Sequence, residues 1–303
     1  MIPFHRIGLS DKVQYDSILF AAPEHGCEYS FANKYLWGRQ EIAFIHGCVA
    51  FFSHFFGKSV YGYPIGSGDK KAVIEEILQD AKDRGLPIRI TGITNADKEE
   101  LENLFPNTFS FRIAREDWDY VYHIDALADL RGKSMQKKRN HFNRFQASHP
   151  DYKVLPLDCK TAGLAKHMVN DWYQARMKAD PEGDYMLENL ALVKAFRDFD
   201  AIGMDGIVLM ENDRALAVTM GSRLNENTFD IHFEKAREEV DGAYNAVNAE
   251  FARYLRLKYP EISFLNREDD VGLEGLRKAK LSYHPDHMVE KSWAYLTEEI
   301  YEN

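Results

Sequence analysis

Three side chains on one short stretch could move a proton. Asp230, His232 and Glu234 alternate along Asp230-Ile-His232-Phe-Glu234, and in a regular strand that spacing puts all three on one face. An imidazole titrates near neutrality and a carboxylate can accept a proton directly or through water, so His232 and Glu234 are candidate general bases. The same face could equally be only solvated or hydrogen-bonded. Tyr283 offers a phenol, or an aromatic packing on Pro285. Arg237-Glu-Glu-Val-Asp-Gly242-Ala243-Tyr244 follows this stretch and precedes an apolar run with helical period. An arginine, then a glycine, at a helix entry can present backbone N–H groups to a phosphate, which makes Arg237, Gly242, Ala243 and Tyr244 candidate donor contacts. An acidic first turn of an ordinary helix fits the same residues.

Two further groups could hold a substrate. Asn266-Arg267-Glu268-Asp269-Asp270 follows a short apolar strand, where ligand contacts gather in open α/β sheets. Its carboxylates suit an ammonium; Arg267 or Arg277 suits a phosphate or carboxylate in bidentate fashion. Alternatively, Glu268 and Asp269 pair with Arg277 and Lys278. From Arg131 to Arg144 there are six Lys or Arg and no acid. In a helix Lys133, Lys137, Asn140 and Arg144 share a face, a ridge suited to RNA phosphates or an anionic headgroup. Lys137, Arg139 and Asn140 are its candidate contacts. No stacking side chains interleave on that face, which argues against base-specific RNA reading.

The elements that must position these groups are legible from pattern. Helical patterns cover 162–178 and 188–200, with Asp180-Pro-Glu-Gly as the break. Strands at 206–211, 216–224 and 228–233 precede the Gly242 turn; a helix at 246–257, a strand at 262–265, a helix at 272–280 and a strand near 288–296 follow it. The first half repeats this order more faintly: a hairpin over 41–46 and 48–56, a strand at 60–63, the turn Pro64-Ile-Gly-Ser-Gly-Asp69, a helix at 70–84, then strand, helix, strand to 113. Strand, glycine-bearing turn, helix, strand, helix, strand occurs twice, which predicts a duplicated fold with its boundary near 150/151.

That order, with an Arg-to-Gly turn after the third strand, resembles the GNAT acyltransferase fold. Three blocks narrow the likeness: Cys27-Glu-Tyr-Ser-Phe31-Ala-Asn33 with Trp37; Gly132-Lys-Ser-Met-Gln-Lys-Lys-Arg139-Asn140-His141-Phe-Asn143-Arg-Phe145; and Asn266 through Asp270, Gly272, Gly275, Arg277, Lys280, Tyr283 and Pro285. Together they resemble the tandem-GNAT family that contains the C-terminal domain of bacterial phosphatidylglycerol lysyltransferase, related to the Fem-type aminoacyltransferases. The resemblance implies an α/β protein (α+β, mixed sheets) of two GNAT-like folds, 1–150 and a catalytic 151–303. It also implies direct transfer of an acyl or aminoacyl group to a small amine or hydroxyl acceptor, with Glu234 or His232 as base and Tyr283 as the acid that protonates the leaving group. The turn is longer than the family's donor loop and lacks its second glycine, so the co-substrate is either acyl-CoA or an aminoacyl-tRNA. A degenerate fold that senses a nucleotide or acyl metabolite without turnover is the alternative, and an RNA-binding accessory protein another.

Composition bounds the rest. The chain has 303 residues, a formal net charge of −10, and 19 Phe with 16 Tyr, enough for a sizeable core and unlike a general nucleic-acid binder. Cys27, Cys48 and Cys159 lack metal spacing and read as reduced core thiols of a cytoplasmic protein, with no metal and no tightly bound cofactor. No apolar run reaches the roughly 18 residues of a membrane span.

Overall fold

The computed structural model describes residues 1–38, 40–55, 57–181 and 185–297, with backbone alone at 55. Its elements run, in chain order, β1 (His5–Arg6), α1 (Lys12–Phe20), α2 (Phe31–Trp37), β2 (Gln40–Ile45), β3 (Cys48–Phe55), β4 (Lys58–Gly66), α3 (Lys70–Arg84), β5 (Arg89–Ile93), α4 (Asn95–Leu104) and β6 (Phe109–Ile113). Then come β7 (Asp119–His123), α5 (Ile124–Asp129), α6 (Gln136–Ser148), β8 (Lys153–Pro156), α7 (Ala162–Ala179), α8 (Met186–Asp198), β9 (Met204–Glu211), β10 (Arg214–Arg223) and β11 (Thr228–Ala236). The last are α9 (Ala243–Lys258), β12 (Phe264–Asn266), α10 (Glu274–Leu281), β13 (His287–Val289) and β14 (Ser292–Leu296). The break expected at Asp180-Pro-Glu-Gly includes residues 182 and 183, and the strand expected to reach 56 ends on a residue, that lie outside those described.

Two mixed seven-stranded sheets carry the molecule, ordered β1-β2-β3-β4-β5-β14-β6 and β13-β7-β12-β11-β10-β9-β8. In each, a hairpin leads to a third strand, a helix crosses over, and the next strand pairs in parallel with the third: β4 with β5, β11 with β12. The duplicated α/β order is therefore present, as two GNAT-like units. The boundary is not at 150/151. One unit holds Met1–Asp119, Asp269–Arg277 and Met288–Asn303; the other holds Tyr120–Glu268 and Lys278–His287. The reason lies in two strands that pattern reading assigns to the wrong half or misses. β14, at the end of the chain, lies between β5 and β6 in the first sheet, and β7 pairs with β12 in the second. The basic helix α6 accordingly belongs to the second unit.

In the first unit β4 buries eight of its nine residues, as a central strand covered on both faces must, and α3 lays Val73, Ile74 and Ile77 on the sheet. Asp69 caps α3 by accepting from the Ala72 N–H at 3.0 Å. In the second unit α9 buries Ala246, Val247, Ala249, Phe251, Ala252 and Leu255, and its small residues let the helix lie close against β9, β10 and β11. The face of the second sheet under α9 is the floor of the candidate site.

Candidate active site

β11 is not a regular strand, and its irregularity decides which groups meet. Against β10 the register pairs Met220 with Phe233 but Gly221 with Ile231, so His232 is an extra, bulged residue. Glu234 stands opposite Thr219 and Asp230 opposite Ser222. Thr219 and Ser222 are an odd number of residues apart on β10, so their partners lie on opposite faces. Contacts agree: Phe229 packs edge-on against Phe251 of α9 at 5.9 Å, and Glu234 accepts from Asn248 Nδ2 of α9 at 3.2 Å. The expectation that Asp230, His232 and Glu234 share one face is corrected, because one inserted residue shifts a period of two.

Glu234 joins the α9 face. Its Oε1 accepts from Arg267 Nη2 at 3.0 Å, with both side chains about seven-eighths buried. The Arg267 guanidinium lies 4.9 Å from the Tyr283 ring centre and 5.7 Å from that of Tyr122. Lys138 Nζ sits 3.9 Å from the Tyr283 ring centre, and Asn245 Nδ2 donates to Tyr283 Oη at 2.6 Å. Burial pushes the Tyr283 phenol up to about 12, with Arg267 pulling in the opposite direction. Tyr283 therefore keeps its proton at neutral pH, and since Asn245 donates to its oxygen, that proton points elsewhere. Burial, reinforced by Arg267, holds the Lys138 ammonium below the usual lysine range. Arg267 Nη1 is buried with no hydrogen-bond partner, a guanidinium N–H left for a ligand.

Backbone contacts fix this cluster. The β11–β12 ladder ends at Asp230↔Asn266, although β11 continues to Ala236. Beyond that point the chain turns to β7, where Arg267 N donates to Tyr120 O at 2.9 Å. Lys280 Nζ donates to Arg267 O at 2.5 Å, and Tyr122 Oη donates to Lys280 O at 2.8 Å. The parallel ladder thus ends next to Arg267, at the carboxyl end of a strand, where ligand contacts gather in open α/β sheets.

His232 faces the other way. Its Nε2 is 2.8 Å from Ser222 Oγ, and its Nδ1 is 3.1 Å from Glu268 Oε1 and 3.4 Å from Asp230 Oδ2. With both nitrogens engaged and only 3% of its side chain exposed, it does not reach the α9 face. Glu268 is likewise on the far side, held at φ 56°, its N–H donating to Asn266 Oδ1 at 2.7 Å.

The donor turn is closed by the protein itself. Arg237 donates to Ala215 O at 2.8 Å and to Asp171 at 2.9 Å. Gly242 has φ 80°, and a Cβ there would stand 2.5 Å from His141 O of α6. The close approach that its glycine permits is thus made by a neighbouring helix. Glu238, Glu239 and Asp241 rim the turn, paired with Arg176, Arg214 and Arg144. Ala243 is buried, and Tyr244 Oη accepts from Trp172 Nε1 at 3.1 Å.

The remaining sequence candidates divide between units. Asp269 and Arg277 belong to the first, where Asp269 accepts from the Val271 N–H at 3.1 Å. Arg277 is gripped by buried Asp270 at 2.8 and 2.9 Å, with Arg115 adding a contact at 3.2 Å. Asp270 thus ties the loop to the helix through Arg277. On the basic segment Lys133 precedes the helix, Lys137 and Asn140 are exposed, and Arg139 donates to Leu130 O and Gly132 O at 2.5 and 3.1 Å. Lys138, one step off the expected ridge, is the residue that enters the site. Sequence reasoning also missed Asn245 and Asn248; amides three apart on an otherwise apolar helix face were the available signal.

A family model described as "Phosphatidylglycerol lysyltransferase, C-terminal" matches residues 20–295. A Bacteroides thetaiotaomicron protein of unknown function is 34% identical, with 98% of this chain and 100% of that one covered and a TM-score of 0.92. L-PGS from Bacillus licheniformis is 16% identical at a TM-score of 0.67, with 94% and 92% covered. FemX is 11% identical at a TM-score of 0.60, with 99% of each chain covered. Among curated proteins, an uncharacterised protein of Mycoplasmoides gallisepticum is 23% identical over 174 residues, 57% of this chain, and the chain spans about half (54%) of that relative's length. No helix among the described residues is long and apolar enough to cross a membrane.

Proposed function

Belonging as it does to the phosphatidylglycerol lysyltransferase C-terminal family, the chain is, we propose, an aminoacyltransferase whose chemistry takes place on the α9 face of its second unit. The donor is an aminoacyl ester of the kind tRNA carries, and the acceptor a small hydroxyl or amine. The observation that carries this reading is the buried Arg267 Nη1, without a partner, beside a carboxylate and a protonated phenol.

Each group has a place in the step. Glu234 takes the proton from the acceptor as its nitrogen or oxygen attacks the ester carbonyl. Arg267 Nη1, with the Lys138 ammonium beside it, stabilises the negative charge that develops on that carbonyl oxygen. Tyr283 gives its proton to the departing ribose oxygen as the carbon–oxygen bond breaks. Proton and charge then balance, since Glu234 holds the proton that Tyr283 later regains through solvent. No covalent enzyme intermediate is needed.

The donor turn favours an aminoacyl ester over acyl-CoA. At the Gly242 turn Arg237 is already held by Ala215 O and Asp171, and Gly242 packs against His141 O, so the groups expected to hold a pyrophosphate are engaged within the protein. The test is transfer from labelled aminoacyl-tRNA to phosphatidylglycerol vesicles and to a panel of small amines and alcohols, beside parallel reactions with acyl-CoA. Label in an acceptor from aminoacyl-tRNA supports the reading. Transfer from acyl-CoA alone overturns the donor, and binding of charged tRNA without any transfer favours a sensor.

A further inference from the structure

On the far face of β11, away from the cluster just described, Asp230, His232 and Glu268 converge. One donor atom from each lies within 4.8 Å of the others. We propose that these three side chains form a binding site for a divalent transition-metal ion that accepts mixed nitrogen and oxygen ligands, such as Zn2+.

The spacing is that of a metal's ligands. Zinc bonds of about 2.0–2.2 Å to nitrogen and oxygen, at tetrahedral angles, set donor-to-donor edges of roughly 3.4 Å. Here His232 Nδ1 stands 3.4 Å from Asp230 Oδ2 and 3.1 Å from Glu268 Oε1, so an ion can enter between them with little rearrangement. The bulge at His232 is what turns the ring toward the two carboxylates.

A second observation comes from outside the trio. Ser222 Oγ lies 2.8 Å from the ring's other nitrogen, Nε2. A metal-bound imidazole donates its remote N–H to an acceptor, and a serine hydroxyl there fixes the ring orientation in the way that outer-shell partners of metal sites do. Charge points the same way. Asp230 and the His232 side chain are almost wholly buried, and two carboxylates with a neutral imidazole around a doubly charged ion sum to zero, the least costly state to bury.

The first unit supplies a contrast. Cys27, Glu28 and Asp119 also cluster, but the Lys291 ammonium donates to Glu28 at 2.8 Å and to Asp119 at 2.7 Å. There the Lys291 ammonium supplies the positive charge.

The test uses the full chain in a Cys159→Ser background, which removes the exposed thiol. Protein stripped with chelator is titrated with Zn2+, and metal content is measured after gel filtration, with Co2+ absorption reporting the ligand geometry. The expected result is one ion per chain and a higher Tm when it is bound. Asp230→Asn and His232→Gln should lose the ion. Ser222→Ala, which keeps all three ligands, should weaken binding by about 10–100-fold. If the ligand variants fail to fold, Ser222→Ala decides. No zinc retained by the unsubstituted site, or retention that Ser222→Ala and Asp230→Asn leave unchanged, overturns the proposal whether or not the chain transfers aminoacyl groups.

Discussion

Replacing Glu234 with Gln separates a proton acceptor from a structural prop. The carboxylate accepts from Arg267 through Oε1 at 3.0 Å and from Asn248 through Oε2 at 3.2 Å. A glutamine has one acceptor oxygen and one NH2, so it keeps one of these bonds and sets a donor against a donor at the other. Losing one bond at a nearly buried site, with Arg267 no longer neutralised, costs about 1–3 kcal/mol of stability. At roughly 2–4 °C per kcal/mol that lowers Tm by about 12 °C at most, so the variant remains folded at assay temperature. A missing general base lowers turnover by about 100-fold or more, close to 2.7 kcal/mol of transition-state stabilisation. Steady-state kinetics with aminoacyl-tRNA should show that fall in kcat, with KM for the donor changed little. Glu234→Gln that keeps more than about a tenth of the wild-type kcat would refute the assignment. A raised KM at unchanged kcat would make Glu234 only the residue that aims Arg267.

Three further outcomes are expected. Tyr283 carries a phenol raised by burial to about 12. Below the unfolded tyrosine value both states are protonated; above it the unfolded state loses its proton first, so stability should fall between about pH 10 and 12. Urea midpoints across that range should show the fall, with a shallower slope in Tyr283→Phe. Lys34 is buried against Tyr29 and Phe51, and burial lowers its ammonium to about 8. Between that value and the unfolded lysine value of about 10.4 the unfolded state binds more protons, so this residue makes stability rise with pH; Lys34→Met should flatten the rise in denaturation curves from pH 8 to 10. Gly242→Ala would force φ 80° on an alanine and place its Cβ 2.5 Å from His141 O. A loss of about 2–4 kcal/mol in urea unfolding is expected, and a loss under 0.5 kcal/mol would show that the turn relaxes freely.

Sequence pattern reached the architecture because helical and strand periods, punctuated by turn residues, repeat along both halves. Tyr283, Arg267 and Glu234 were legible as chemistry from residue type and position, and the structure brings these three together. What pattern could not reach was register. His232 and Glu234 read as neighbours on one face until the bulge is seen, and a bulge leaves no mark in side-chain alternation without its partner strand. Lys138 stood one step off the expected ridge, and its neighbours Lys137 and Arg139 go to solvent and to backbone carbonyls. Arg237 and Gly242 look like a phosphate cradle in one dimension; only tertiary packing reveals that α6 occupies the space. The boundary at 150/151 failed for a related reason, since no local signal tells a strand which sheet it will join.

That last failure has a consequence for how the molecule is made. The strand between β5 and β6 is β14, which ends at Leu296. As the chain leaves the ribosome, β5 and β6 are therefore complete long before the strand that joins them exists. The nascent first unit carries a vacancy while residues 114–291 are made, with the apolar edges of Ile90 and Phe111 waiting for Ala294. Such edges invite pairing with other chains. Translation should thus be the hazardous stage of this protein's life, and a chain cut just before Ser292 should aggregate even though it retains every residue of the α9-face cluster.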